Sequence, residues 1–359
     1  MSSSEARRDP RGATESRIKI AAQMTPEPRE VDFRFVRQMG IEHGVFWIDA
    51  ARTTVEFYAA QRARFADHGI ELIGINNLDV NQQADLVLRG PGYDSQMEVV
   101  RRHIQSLGRA GIPYTTYAHM PNGIWSTERE EARGGASARA FDLSKGGRGY
   151  WKSETWDLPL TNGREYSEAE VWDNYATFIR EVAKVAEDEG VLVGIHPADP
   201  PIAWMGGVRR LFSTFDDYER ALEIADSPNV GVCLCVGCWL EGGQSMGIGV
   251  LDAIRHFAGE KKLFKVHFRN VSEPLPHFVE TFLDEGYQEM YAVMRTLQEV
   301  DFQGIAIPDH IPTMADDPRL GTAFSMGYMK ALRERAEAEV AADRERAAVD
   351  AAREAPGRN

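Results

Sequence analysis

Four residues of metal-binding type recur in one setting in the second half of the chain. The apolar runs VLVGIH, VGVCLC, KLFKVH and IAIPDH end on His196, Cys235, His267 and Asp309. Imidazole, thiolate and carboxylate are the side chains that hold divalent transition metals. Taken singly, each has a plainer role: Cys235 as a small buried apolar residue, His196 and His267 as core histidines bonded to backbone, Asp309 as a helix cap. Four such accidents at four strand ends are less economical than one metal site. Cys233 and Cys235 share strand parity and so face the same side; Cys235 lies nearer the strand end, and Cys238 lies past it. Thiolate and imidazoles suit Zn2+ or Fe2+, whereas a carboxylate with open positions for hydroxyl oxygens suits Mn2+. His310, beside Asp309, is placed to carry protons near neutral pH or to orient Asp309. Arg269, two residues after His267, is placed either to clamp a substrate carboxylate in a bidentate pair or to neutralise Asp309 or Glu280.

Elements that bring those ends together are legible in order. From Arg17, short β-like runs alternate with amphipathic ones: RIKIAAQM, HGVFWIDA, IELIGIN, IPYTTYAHM, VLVGIH, VGVCLCVG, KLFKVHF and GIAIPDH, with a helical stretch after each. Gly111 closes the helix that starts near Ser95, and Ser167 opens another with a capping box. Eight strand and helix pairs with crossovers long enough for parallel strands predict a (β/α)8 TIM barrel, whose chemistry sits at the carboxyl ends of the strands. The alternation breaks after the fourth strand, from Pro121 to about Tyr166. That stretch is rich in Gly, Arg and aromatics and has neither period. It is expected to be a lid over the strand ends, the alternative being a packed surface excursion. Residues 1–16 are expected to form a disordered tail, 17–340 the catalytic barrel, and 341–359 a charged helical or disordered extension.

Composition sets limits. With 41 Lys and Arg against 55 Asp and Glu, the net charge is -14, the wrong sign for a nucleic-acid partner. The three cysteines fall within six positions and staple no distant segments, which fits a reducing cytoplasm. No stretch approaches the roughly 18 apolar residues of a membrane span, and the Arg pair near the start is not followed by the apolar run of a leader. A soluble, cytoplasmic protein with neither nucleic acid nor membrane as partner is expected, and nothing in the chain opposes a homo-oligomer.

HPADPP at 196–201, DSPNVGVCLCVG at 226–237, KVHFRNV at 265–271, FVETFLDEG at 278–286 and PDH at 308–310 together resemble the mannonate dehydratase family of the xylose-isomerase-like barrel group. YAHMPNGIW at 117–125 is similar to that family's fourth-strand segment. The resemblance implies Mn2+ held by His196, Cys235, His267 and Asp309, an acid/base histidine at His310, and a hydro-lyase acting on a sugar acid such as D-mannonate. Removal of water from such an acid needs a base for the proton beside the carboxylate and a Lewis acid or proton donor for the departing hydroxide. An isomerase or epimerase of the same barrel group is the alternative. One departure stands out: in GTAFSMGYMKAL, Phe324 falls where the family's Tyr-x-x-Gly tyrosine is expected. Phenylalanine has no hydroxyl proton to donate, so either Tyr117, His119 or a metal-bound water is the expected substitute, or the reaction and substrate differ from D-mannonate dehydration.

Overall fold

The computed structural model describes residues 17–354; the tail expected over 1–16 lies outside the described residues. Eight parallel strands form the barrel: β1 Lys19–Met24, β2 His43–Ile48, β3 Glu71–Asn77, β4 Tyr114–Ala118, β5 Leu192–His196, β6 Val230–Cys235, β7 Leu263–Phe268 and β8 Ile305–Pro308. All six residues of β6 and of β7 are buried, as strands covered on both faces must be. Ladders link every neighbour round the ring except β3 and β4. One backbone bond, from Gln82 N to Ala118 O at 3.0 Å, and several side chains close that gap. Asn76 Oδ1 accepts from Thr116 N at 2.9 Å, Asn81 Oδ1 from Ala118 N at 2.7 Å, and Asn81 Nδ2 donates to Thr116 O at 3.2 Å.

Helices wrap the outside: α1 Glu30–Gln38, α2 Val55–Asp67, α3 Ala84–Leu88, α4 Tyr93–Arg109, α5 Glu168–Glu189, α6 Phe215–Ala225, α7 Val236–Gly242, α8 Val250–Gly259, α9 Met290–Glu299 and α10 Pro318–Glu354. Ser167 caps α5 through its hydroxyl, and Gly111, at φ 69°, follows the α4 C-cap Ala110 in the left-handed conformation that closes helices. The apolar run at 230–237 does not stay extended as the sequence suggests. It turns into α7 at Val236, because the Cys235 sulfur caps the new helix by accepting the Cys238 amide at 3.4 Å. Helix α10 continues without interruption past position 340. Among the described residues no helix is long and apolar enough to cross a membrane.

Strand alternation sorts the core into two layers. Ala21, Val45, Ile73, Tyr114, Phe264 and Ile305 fill the barrel interior, and a larger layer packs between sheet and helices. The break after β4 is not structureless. Ile124–Ser126, Arg148–Trp151 and Glu154–Trp156 form one antiparallel sheet. Ala140–Asp142 pairs with His277–Thr281, which pairs in turn with Asn270–Val271 beyond β7. This excursion covers the carboxyl ends of the strands, with Trp125 fully buried beneath it.

Candidate active site

Each sequence-identified ligand sits at the end of its strand, and all four meet. Cys235, His267 and Asp309 present ligand atoms within 4.8 Å of one another, and Cys235 is equally close to His196. His196 Nε2 lies 3.2 Å from His267 Nδ1, which lies 3.5 Å from Asp309 Oδ2. His196 Nδ1 is 2.9 Å from Pro197 O; a proton on Nδ1 leaves the Nε2 lone pair facing inward. His267 Nε2 is buried with no partner, the state of an atom reserved for a ligand. Burial alone would raise the Cys235 thiol, but a side-chain hydrogen bond from Cys238 and the Arg269 guanidinium outweigh it and hold the thiol well below its usual range. Asp309 is likewise driven down against its burial by His310 and His267. In donor type, a soft anion, a hard anion and two imidazoles fit a divalent transition ion.

The other two thiols are less suited. Cys233 faces the barrel interior, with Thr116 Oγ1 4.0 Å away; His267 draws its pKa down to about 7 against the effect of burial. Cys238 is pushed well above its usual range, first by burial and then by the Cys235 sulfur.

Beneath the cluster lies a buried ionic network that sequence reasoning largely missed. Arg269 is 1% exposed. Its guanidinium meets Glu280 at 2.9 Å, Glu241 at 3.1 Å and Asp199 at 3.2 Å. The expectation that it clamps a substrate carboxylate is therefore corrected: its guanidinium is enclosed by protein carboxylates, the Cys238 sulfur and His310 Nδ1, which favours the neutralising role. Gly237 permits the approach, since a Cβ there would fall 1.9 Å from Arg269 Nε. Arg139, from the excursion, joins the network at 2.7 Å from both Asp199 and Glu280. Asp199 and Glu280 stand inside the quoted motifs HPADPP and FVETF, but charge pairing across the fold leaves no local signal.

His310 Nδ1 lies 2.7 Å from Glu280 Oε1, and its ring faces the cavity with 29% exposure. Burial works against its charge, but Asp309 and Glu280 raise its pKa to about 9. Its backbone takes φ 46°, a conformation rare for residues with a Cβ.

The cavity above these groups measures about 510 Å3. Its far side is built by Trp47, Asn81 and Gln82 from the β2–β3 half and by Tyr150 and Trp151 from the excursion. Phe324 does not line it. Helix phase turns Pro318, Thr322 and Met326 toward the cavity, while Phe324 packs on Phe282 and Tyr328 at centroid distances of 5.8 and 6.4 Å. Tyr117 and His119 are also excluded as substitutes. Thr116 and Ala118 of β4 face inward, so their odd-numbered neighbours face outward. Tyr117 OH meets His119 Nδ1 at 2.7 Å, both buried against Phe178 of α5, and burial pushes His119 down to about 3.

Comparison with known proteins agrees with this geometry. A family model described as D-mannonate dehydratase matches residues 151–342. Mannonate dehydratase 2 of Halalkalibacterium halodurans is 27% identical over 262 residues, 68% of this chain and 74% of that protein. Mannonate dehydratase of Streptococcus equi subsp. zooepidemicus is 29% identical over 261 residues, 67% of this chain and 70% of that protein. In structure, mannonate dehydratase from Streptococcus suis serotype 2 superposes with a TM-score of 0.78 at 23% identity, covering 91% of this chain and 95% of that one. An L-ribulose 3-epimerase shares the fold at a TM-score of 0.58 and 15% identity, covering 94% of this chain and all of that one.

Proposed function

The chain belongs to the D-mannonate dehydratase family, and from that premise we propose that it removes water from an aldonic acid such as D-mannonate, giving a 2-keto-3-deoxy acid. The observation that carries this reading is the meeting of His196, Cys235, His267 and Asp309 from four consecutive strand ends beside a proton-carrying His310. We assign the four as metal ligands, with Mn2+ the expected ion. A divalent ion held there would supply a Lewis acid that makes the proton on C2 more acidic.

His310 does the proton work. Asp309 and Glu280 make its ring a stronger base than free imidazole, and a cation beside Asp309 offsets part of that rise. The ring takes the proton from C2. The C2–H electron pair becomes the C2–C3 double bond, the C3–O bond breaks, and the ring's proton leaves with the hydroxide as water. The enol then tautomerises to the ketone. Glu280 holds Nδ1 throughout and so fixes which nitrogen faces the substrate. Asp199, held in its charged form against burial by Arg139 and Arg269, borders the same cavity and is available to accept a substrate hydroxyl.

Incubation with a panel of aldonic acids, followed by assay of 2-keto-3-deoxy products and their mass, tests the proposal. Loss of the mass of one water supports dehydration; a product of unchanged mass favours an epimerase or isomerase. Chelator should abolish turnover and Mn2+ restore it. Activity in fully metal-free protein overturns the ligand assignment.

A further inference from the structure

We infer that the half of the cavity built from β2, the turn after β3 and the excursion is a subsite for the uncharged polyol tail of the substrate, with Trp47, Trp151 and Gln82 as its specificity-determining residues. The inference rests on the aldonate reading above and adds which end of the acid lies where. The histidines and carboxylates of the cavity all lie on the β5–β8 side. The carboxylate, C2 and C3 must therefore lie there, and the remaining carbons extend across the mouth.

Three observations shape that far side. Trp47 and Trp151 meet edge to face at 5.8 Å between centroids, with 65° between their planes, and both are only partly buried. Trp151 Nε1 donates to Leu78 O at 3.0 Å, so the ring is pinned while its face stays open. A pinned aromatic offers C–H faces of a sugar chain a large surface at little entropic cost. Gln82 is 4% exposed, and its Oε1 has no partner. A buried amide oxygen without a donor is costly, and a hydroxyl of the substrate supplies one. The Gln82 backbone sits at φ 56°, where glycine would be at ease; the side chain is retained at a site that penalises it.

Charge narrows the ligand further. Among the described residues lining the cavity there is no Lys or Arg. Lys152, next to Trp151, is turned away in an ion pair with Asp79. An anion placed on this side would be desolvated without a counter-charge. The tail is therefore a neutral polyol, neither phosphorylated nor oxidised to a second carboxylate.

The test compares four-carbon and six-carbon aldonates, a six-carbon aldonate 6-phosphate and a six-carbon dicarboxylate on the metal-loaded native enzyme. The six-carbon acid should have the lowest KM, and both acids with a charged tail should be turned over at least about tenfold less efficiently. Trp151→Ala and Gln82→Ala should each raise KM for the six-carbon acid about tenfold more than for the four-carbon acid, with the change in KM rather than kcat. Equal shifts at both lengths, or native turnover of the 6-phosphate as fast as of the free acid, overturn the subsite. If no acid in the panel yields a 2-keto-3-deoxy product, the dehydratase reading fails instead. The subsite then still answers to binding of the six-carbon alditol, followed by tryptophan fluorescence. Saturation that is weakened in both variants supports it; no saturation, or identical isotherms, overturns it.

Discussion

The two halves of the barrel mouth are built on different physical terms. The β5–β8 half ends in titratable groups, two of them anions held charged against burial, over a network in which Arg139 and Arg269 are wedged among Asp199, Glu241 and Glu280. The β1–β4 half ends in amides and aromatic rings without charge, and its ladder is interrupted between β3 and β4. One half gathers titratable groups, the other uncharged amides and rings. Charge in a low-dielectric site is strong and unforgiving, so substitutions on the two sides should differ in kind as well as size.

The largest effect should follow from His310→Ala, which removes the proposed proton carrier. We expect kcat to fall about 10²-fold to 10⁴-fold on the true substrate, checked by steady-state kinetics with the folded state verified by circular dichroism. Cys235→Ala should lower metal content at equal added metal, read by elemental analysis, whereas Cys233→Ala should change mainly thermal stability; the reverse pattern would assign the wrong thiol. Arg139→Met should cost about 3–5 kcal/mol of stability, because it strands buried carboxylates without their counter-charge, and denaturant unfolding measures it. Opposite in sign would be stabilisation, showing that the network is not needed to hold Asp199 and Glu280 charged.

A smaller effect belongs to the uncharged side. His103 meets Tyr58 at 2.6 Å and Thr115 at 3.0 Å, and burial lowers its pKa to about 3. His119 is lowered to about 3 by the same cause. The unfolded chain takes up these protons near pH 6.5 and the native chain does not, so their contribution is whole above about pH 6.5 and is lost as pH falls toward about 3. His103→Gln should flatten the stability profile in that window; an unaltered slope would show that the ring is already charged in the fold. Smallest of all should be Phe324→Tyr, which changes a residue outside the cavity. Turnover should alter by less than about twofold, far below the range for an acid/base group, and a rise of tenfold or more would restore the role that its sequence position suggests.

The same contrast decides what the sequence discloses. Residues such as Cys235 and His267 announce their chemistry by type, and strand ends fix where they point, so the barrel and the meeting of these side chains at its mouth were readable in the sequence. Arg139 and Glu280 lie far apart in the chain, and nothing local marks them as partners. The excursion escaped because strands as short as Ile124–Ser126 are too brief for any period to register. Phe324 was misplaced because a motif spacing counts residues, whereas a helix assigns faces by angle, and positions 318, 322 and 326 share the face that matters. Tyr117 and His119 were misjudged although strand parity carried the answer. Gln82 and Trp151 had no signal of type at all, since amides and indoles are as common in ordinary packing.

The gap between β3 and β4 gives the ring a clasp where the other strands have a zipper. A ladder spreads closure over several backbone groups, none of them decisive. Here Asn81 alone accepts from Ala118 N and donates to Thr116 O and Asn77 O, while Asn76 takes the Thr116 amide. Loss of the amide nitrogen of Asn81 to deamidation would keep the acceptor and destroy the donor, unfastening one side of the clasp with an atom-for-atom swap. The amide hydrogens of Thr116 and Ala118 thus owe their protection from solvent exchange to side chains, and an ageing sample should release them before those of β6 and β7.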